Sequence, residues 1–326
     1  MGKDTINMVS VIIPVYNGEQ YIPRCLDTLF SLGGSGMEVI AVNDGSRDAS
    51  SAILHEYASR YPALKVIDQE NSGAARARRK GIEAATGDYI GFLDIDDCAE
   101  PDMYEKMGEK AMQTGADIVF CDYVTEYPTS SRVVKNRFDQ GQTFPLRGVE
   151  AMRYMQRRQA IFSFPWNKIY RAELLRSVEF PEGNFVGEDY NMLLQLFEKT
   201  DKIEYLELVG YHYAMTDNSA SRSGYSESTL RAYRHYQEDY EIVCRLHPDM
   251  KRDVTNYLII EYMACVIAMG RNKTYNRDMI REIKRFVRRG LWGFLTAGYV
   301  SLTMKGSAVA LLLSYRLLIA VYRLIA

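Results

Sequence analysis

The chain has few cysteines, and none of them are paired. Cys25, Cys98, Cys121, Cys244 and Cys265 are scattered, with no C-x-x-C among them. That spacing argues against a disulfide framework and a zinc site, and it points to a reducing compartment. The chain's start also has little apolar length: residues 1–8 are polar, and the apolar stretch behind them is short and meets Pro14. No secretory signal is therefore expected, and a cytoplasmic location follows. Residues 254–269 are apolar but include Asn256 and Glu261, and they fall short of the roughly twenty residues of a spanning helix.

What is present is an ordinary globular composition, 47% hydrophobic and 25% charged over 326 residues, enough for one large α/β domain and an appendage. The net charge of −2 hides an asymmetry. Residues 271–326 hold eleven Lys/Arg against two Asp/Glu, so the first 270 residues carry −11. A tail that is basic and also apolar argues against nucleic acid and for an anionic membrane surface.

The first 125 residues alternate two periodicities. Apolar, β-branched runs at 9–13, 37–42, 64–67, 89–93 and 117–121 read as strands. Between them lie helical patterns, one with Tyr21, Ile22, Cys25, Leu26 and Leu29 on a single face, others at 52–61 and 74–85. Nearly continuous apolar strands separated by amphipathic helices predict a mostly parallel sheet covered on both faces. Ligands of such sheets bind at the carboxyl ends of the strands.

The polar residues at those ends are therefore the informative ones. Pro14-Val15-Tyr16-Asn17 closes the first strand, Asn43-Asp44-Gly45-Ser46 the second, and Asp94-Ile95-Asp96-Asp97 the fourth. Three carboxylates after a buried strand repel one another unless a cation neutralises them. Hard oxygen donors in this arrangement suit Mg²⁺ or Mn²⁺, with diphosphate oxygens completing the shell. An acidic turn closing a strand is the simpler alternative, and Asn and Asp-Gly are ordinary turn formers. Arg76, Arg78 and Arg79 open the helix at 74–85, where the macrodipole disfavours a cation. A nearby anion, such as a nucleotide phosphate, would offset that cost.

With these residues together, the chain resembles the family 2 inverting glycosyltransferases of the GT-A fold, in particular bacterial enzymes of capsular, exopolysaccharide and cell-wall glycan synthesis. The resemblance rests on Pro14–Asn17, on Val42-Asn43-Asp44-Gly45-Ser46, on Asn71 and Gly73 with Arg78 and Gly81, and on Phe92-Leu93-Asp94-Ile95-Asp96-Asp97. Arg78-Arg79 departs from the family's usual Arg-Asn. Trp166-Asn167-Lys168-Ile169-Tyr170-Arg171 and Gly187-Glu188-Asp189-Tyr190 extend the likeness to about residue 225.

The resemblance implies a GT-A catalytic domain over 1–225, with a nucleotide-sugar half at 8–100 and an acceptor half at 101–225. A helical extension at 226–290 and a membrane-associating tail at 291–326 would follow. It implies a UDP-linked nucleotide-sugar donor, held by Pro14, Tyr16, Asn17, Asp44, Arg78 and Asp94. Tyr16 would stack on the base, and Asp44 would accept a hydrogen bond from it. Asp96 and Asp94 would hold Mg²⁺ or Mn²⁺, with His212 as a third ligand, and the segment 218–222 would lie near the diphosphate. Asp189, beside Glu188, would be the catalytic base. The acceptor would be a glycan or lipid-linked glycan at the inner leaflet.

Arg316 and Arg323 are seven residues apart and share a helix face, so the tail is expected to lie in the membrane interface rather than span it. A tail packed on the body or on a second copy, giving a homodimer, is the alternative. Two rival enzymes are excluded by missing motifs: the G-x-G-x-R loop of nucleotidyltransferases is replaced by Pro14-Val15-Tyr16-Asn17-Gly18, and Cys98 breaks a D-x-D-x-T phosphatase pattern. A non-catalytic sugar-nucleotide-binding or scaffold module of an assembly complex is opposed by the joint presence of Asp44, Asp94, Asp96 and Asp189.

Overall fold

The computed structural model describes residues 9–31, 36–179, 187–215 and 224–325. Two compact units divide the chain. The first comprises Met1–Ala151, Ser163–Asn184 and Glu188–Thr216, the second Met152–Phe162, Phe185–Gly187 and Asp217–Ala326.

The first unit opens with strands and helices in alternation: β1 (Val9–Val15), α1 (Ile22–Phe30), β2 (Met37–Asp44), α2 (Ser50–Arg60), β3 (Leu64–Gln69), α3 (Ala74–Ala84) and β4 (Tyr89–Phe92). It continues with β5 (Cys98–Ala99), α4 (Met103–Thr114), β6 (Ile118–Tyr127), β7 (Ser130–Val134) and α5 (Gly148–Arg157), whose residues 152–157 belong to the second unit. The last elements are β8 (Lys168–Arg171), α6 (Ala172–Arg176), α7 (Glu188–Glu198) and β9 (Ile203–Ala214). The strands form one sheet in the order β3-β2-β1-β4-β8-β6-β9-β5, with β7 added to β6.

β1 to β4 are parallel, as their apolar runs predict. The other half of the sheet mixes directions, because β8 runs antiparallel to both β4 and β6. β1 and β2 are buried along almost their whole length, and β4 throughout. Water-facing polar groups therefore collect only where these strands end.

The turn after β2 needs its glycine. Gly45 has φ +68°, and a Cβ there would stand 2.6 Å from the backbone nitrogen of Asn71. That close approach lets Asn71 Nδ2 donate to the carbonyl of Asp44 at 3.1 Å, drawing the loop before α3 onto the end of β2.

The second unit is helical: α8 (Glu227–Leu246), α9 (Lys251–Arg271), α10 (Arg277–Leu295), α11 (Leu302–Leu313) and α12 (Tyr315–Ile325). α9 is its centre and packs against all four of the others. α10 runs across residues 290 and 291, the boundary expected between the extension and the tail. Among the described residues no helix is long and apolar enough to cross a membrane.

Candidate active site

Asp44 is buried at the carboxyl end of β2. Its Oδ1 accepts from Gln69 Nε2 at 2.7 Å, from the Ser72 amide at 2.8 Å and from Ser72 Oγ at 3.2 Å, and its Oδ2 accepts from the Gly73 amide at 2.7 Å. Gly73 is the N-cap of α3. The negative charge that this helix start favours is thus supplied from within the chain. Asp44 spends most of its acceptor capacity on the loop, and one lone pair of Oδ2 is left for a ligand.

Asn17, at φ +48°, has a comparable anchoring role. Its backbone amide donates to Ser46 Oγ at 3.0 Å, and its Oδ1 accepts from the Arg47 amide at 2.8 Å, tying the end of β1 to the turn after β2. Pro14 is a β1 residue in register with Val42. Tyr16 is 49% exposed, and its ring stands clear at the strand end.

The fixed start of α3 aims Arg78. Its guanidinium, nearly buried, meets three carboxylates: Nη1 donates to Glu188 at 3.0 Å and to Asp189 at 3.3 Å, and Nη2 donates to Asp94 at 3.1 Å. Arg78, the residue expected to contact the nucleotide, thus meets the protein's own carboxylates through both Nη atoms, while its Nε has no partner among the described residues. Arg79, the position that departs from the family's usual asparagine, pairs with Glu83 one turn along the helix.

Burial opposes the charge on Arg78, but Asp189, Asp94 and Glu188 outweigh it and hold the guanidinium firmly protonated. Burial also pushes the Glu188 carboxyl up to about 7, with Asp189 adding to the rise and Arg78 opposing it. Asp189 is raised for the same first reason, against the pull of Arg78. Both carboxyls open α7, where the helix start favours negative charge.

After β4, Asp96 is raised by burial and by neighbouring Asp94, and among the described residues no Lys or Arg pairs with it. Asp97 is turned inward: its Oδ2 accepts from Tyr211 Oη and its Oδ1 from the Ala214 amide, both at 2.7 Å. The Tyr211 hydroxyl also accepts from the Asp94 amide at 3.2 Å, so one buried tyrosine steadies the whole acidic turn. His212, expected as a third metal ligand, lies between two carboxylates. Its Nδ1 lies 2.9 Å from Glu126 and its Nε2 2.7 Å from Glu100, so carboxylates occupy both ring nitrogens. The residues that suit a metal are Asp94 and Asp96. The segment 218–222 lies outside the described residues.

Two contributors carried no role in the sequence reading. One is Tyr211. The other is Lys168, only 1% exposed, whose Nζ donates to the Phe164 carbonyl and to Asn167 Oδ1, each at 2.7 Å. Burial lowers its ammonium to about 7, against the favourable fields of Cys121 and Asp189. A lysine among apolar neighbours, as in Asn167-Lys168-Ile169-Tyr170, was the available signal.

Acidic side chains thus collect where β2 and β4 end, and comparison decides the family. The family model described as "Glycosyl transferase family 2" matches residues 10–178, just over half of the chain. The chain belongs to glycosyl transferase family 2. It is 28% identical over 293 residues to EpsJ, an uncharacterized glycosyltransferase of Bacillus subtilis, covering 87% of this chain and 83% of EpsJ. In fold it is similar to S. aureus TarS 1–349 in complex with UDP-GlcNAc, with TM-score 0.62 and 19% identity over 97% of this chain and 92% of that one. It is also similar to the mannosyltransferase PcManGT of Pyrobaculum calidifontis in complex with GDP-Man and Mn²⁺, with TM-score 0.53 and 18% identity, covering 96% and 85%. As a member of family 2, the protein is a glycosyltransferase of the GT-A fold.

Proposed function

We propose that this glycosyltransferase is an inverting enzyme that moves a sugar from a UDP-linked donor to a hydroxyl of a glycan or lipid-linked acceptor in bacterial surface polysaccharide synthesis. The observation that carries the reading is the gathering of Asp94, Glu188 and Asp189 on the single guanidinium of Arg78. It brings the acidic turn after β4, the donor end of the reaction, together with the carboxylates at the start of α7.

Asp94 and Asp96 fit a divalent cation. They are hard oxygen donors, and Asp96 is held above the usual carboxylate range beside Asp94 with no cation placed on it among the described residues. Mg²⁺ or Mn²⁺ bound there supplies Lewis-acid stabilisation of the departing diphosphate. The exposed Tyr16 ring stacks on the nucleotide base, and the remaining lone pair of Asp44 accepts from a base N–H. Asp189 takes the proton of the acceptor hydroxyl as that oxygen attacks the anomeric carbon from the face opposite the diphosphate. The new glycosidic bond forms as the bond to the diphosphate breaks, so an α-linked donor gives a β-linkage. Arg78 holds Asp189 ionised and oriented until the acceptor arrives.

Nucleotide release from UDP-, GDP- and dTDP-sugars by the purified chain with Mn²⁺ tests this reading. Release is expected from a UDP-sugar, abolished by EDTA, and lowered at least about a hundredfold in Asp96→Asn. Full activity in EDTA or in Asp96→Asn would remove the metal role of the acidic turn. Absence of both release and calorimetric donor binding would overturn the donor assignment.

A further inference from the structure

The second unit carries a surface unlike the rest of the chain. From residue 283 to residue 326 there are seven Lys/Arg and no Asp/Glu. Among the described residues no carboxylate pairs with Lys284, Arg285, Arg288, Arg289, Lys305 or Arg316.

Large apolar side chains stand exposed in the same stretch. On α11, Leu302, Val309 and Leu313 follow the i, i+7, i+11 spacing of one helix face and are 83%, 40% and 72% exposed. The buried residues of that helix, Ala308, Ala310 and Leu311, lie elsewhere on it. Trp292 on α10 is 79% exposed, and Leu317 on α12 is 41% exposed. α11 touches both α10 and α12, so these side chains come from adjoining helices. Single exposed leucines are common on soluble proteins, whereas a group of them on one short segment marks an interaction surface.

We propose that the exposed side of α10, α11 and α12 docks in the plane of an anionic lipid bilayer. The leucines and Trp292 enter the boundary between headgroups and acyl chains, and Arg288, Arg289 and Arg316 meet the lipid phosphates. Charge selects this partner. A second copy of the same face would bring two unopposed positive surfaces together, whereas an anionic leaflet neutralises them. The lengths agree as well, since among the described residues no helix can span and short amphipathic helices lie in the interface. The inference is independent of the catalytic reading.

The test is flotation of the full chain with vesicles of phosphatidylcholine, with and without phosphatidylglycerol. Binding is expected only where phosphatidylglycerol is present, weakening as salt is raised. Trp292→Ser with Leu302→Ser and Leu313→Ser, and separately Arg288→Gln with Arg289→Gln and Arg316→Gln, should each lower binding by at least about tenfold. Because these side chains are exposed, thermal unfolding should be unchanged in both variants. Equal binding to both vesicle types would overturn the anionic preference. No binding by the wild type, together with a dimer in sedimentation that the serine variant dissociates, would assign the face to a second copy and overturn the proposal.

Discussion

Asp189→Asn is expected to lower kcat by at least two orders of magnitude while donor affinity stays within a few fold of wild type. Asparagine keeps the shape of the side chain and an oxygen for Arg78 to donate to, at the position where Asp189 now accepts at 3.3 Å. What it loses is the ability to take a proton. General base catalysis contributes about 10²–10⁴ in rate, so losing it should dominate the effect. Calorimetry with the UDP-sugar separates this from a folding or binding defect. Near-normal turnover with donor bound would mean that another group is the base.

The same pair sets a pH dependence. In the free enzyme, kcat/KM should rise with pH, because the base works only when ionised and burial holds Asp189 above the usual carboxylate range. Glu188→Gln removes a negative charge that disfavours ionisation beside it. The ascending limb should therefore move to lower pH while activity persists above it. A limb that stays in place would separate Glu188 from the titrating group.

Much of this site was legible because a parallel sheet forces the issue. Strands buried on both sides must be apolar, so polar residues such as Asp44, Asp94 and Asp96 stand out where β2 and β4 end. The cation–carboxylate knot was not legible. Arg78 and Glu188 are 110 residues apart, and no local periodicity reports such a contact. The macrodipole argument rightly asked for an anion at the start of α3 but placed it on a ligand, whereas Asp44 provides it. The surroundings of His212 were hidden for a similar reason: its carboxylate partners, Glu100 and Glu126, come from other parts of the chain. The direction of β8 is likewise set by the sheet rather than by the pattern in Lys168–Arg171.

Removing the charge of Arg78 should be the most damaging single change to this unit. Arg78→Met leaves Asp94, Glu188 and Asp189 without the guanidinium that now joins them. Breaking a buried ion pair in this way costs about 3–5 kcal/mol. The carboxylates retain 14–31% side-chain exposure, so water recovers part of the loss and the lower end is expected. The cost should depend on pH with a definite sign. Glu188 and Asp189 already sit above their ordinary values, and without Arg78 they would rise further. A carboxyl raised in the folded state contributes stability that is fully present below its unfolded value and lost as pH climbs through the folded one. The variant should therefore unfold close to wild type near pH 5 and well below it at about pH 8, because the unfolded carboxyls titrate near 4. Activity at neutral pH should fall about a hundredfold, since the base is then neither oriented nor kept ionised. Arg78→Lys, which keeps the charge but not the fork, should lie between the two. Thermal unfolding of the three proteins at both pH values decides the matter, and wild-type stability of Arg78→Met at pH 8 would show that the three carboxylates do not depend on this arginine.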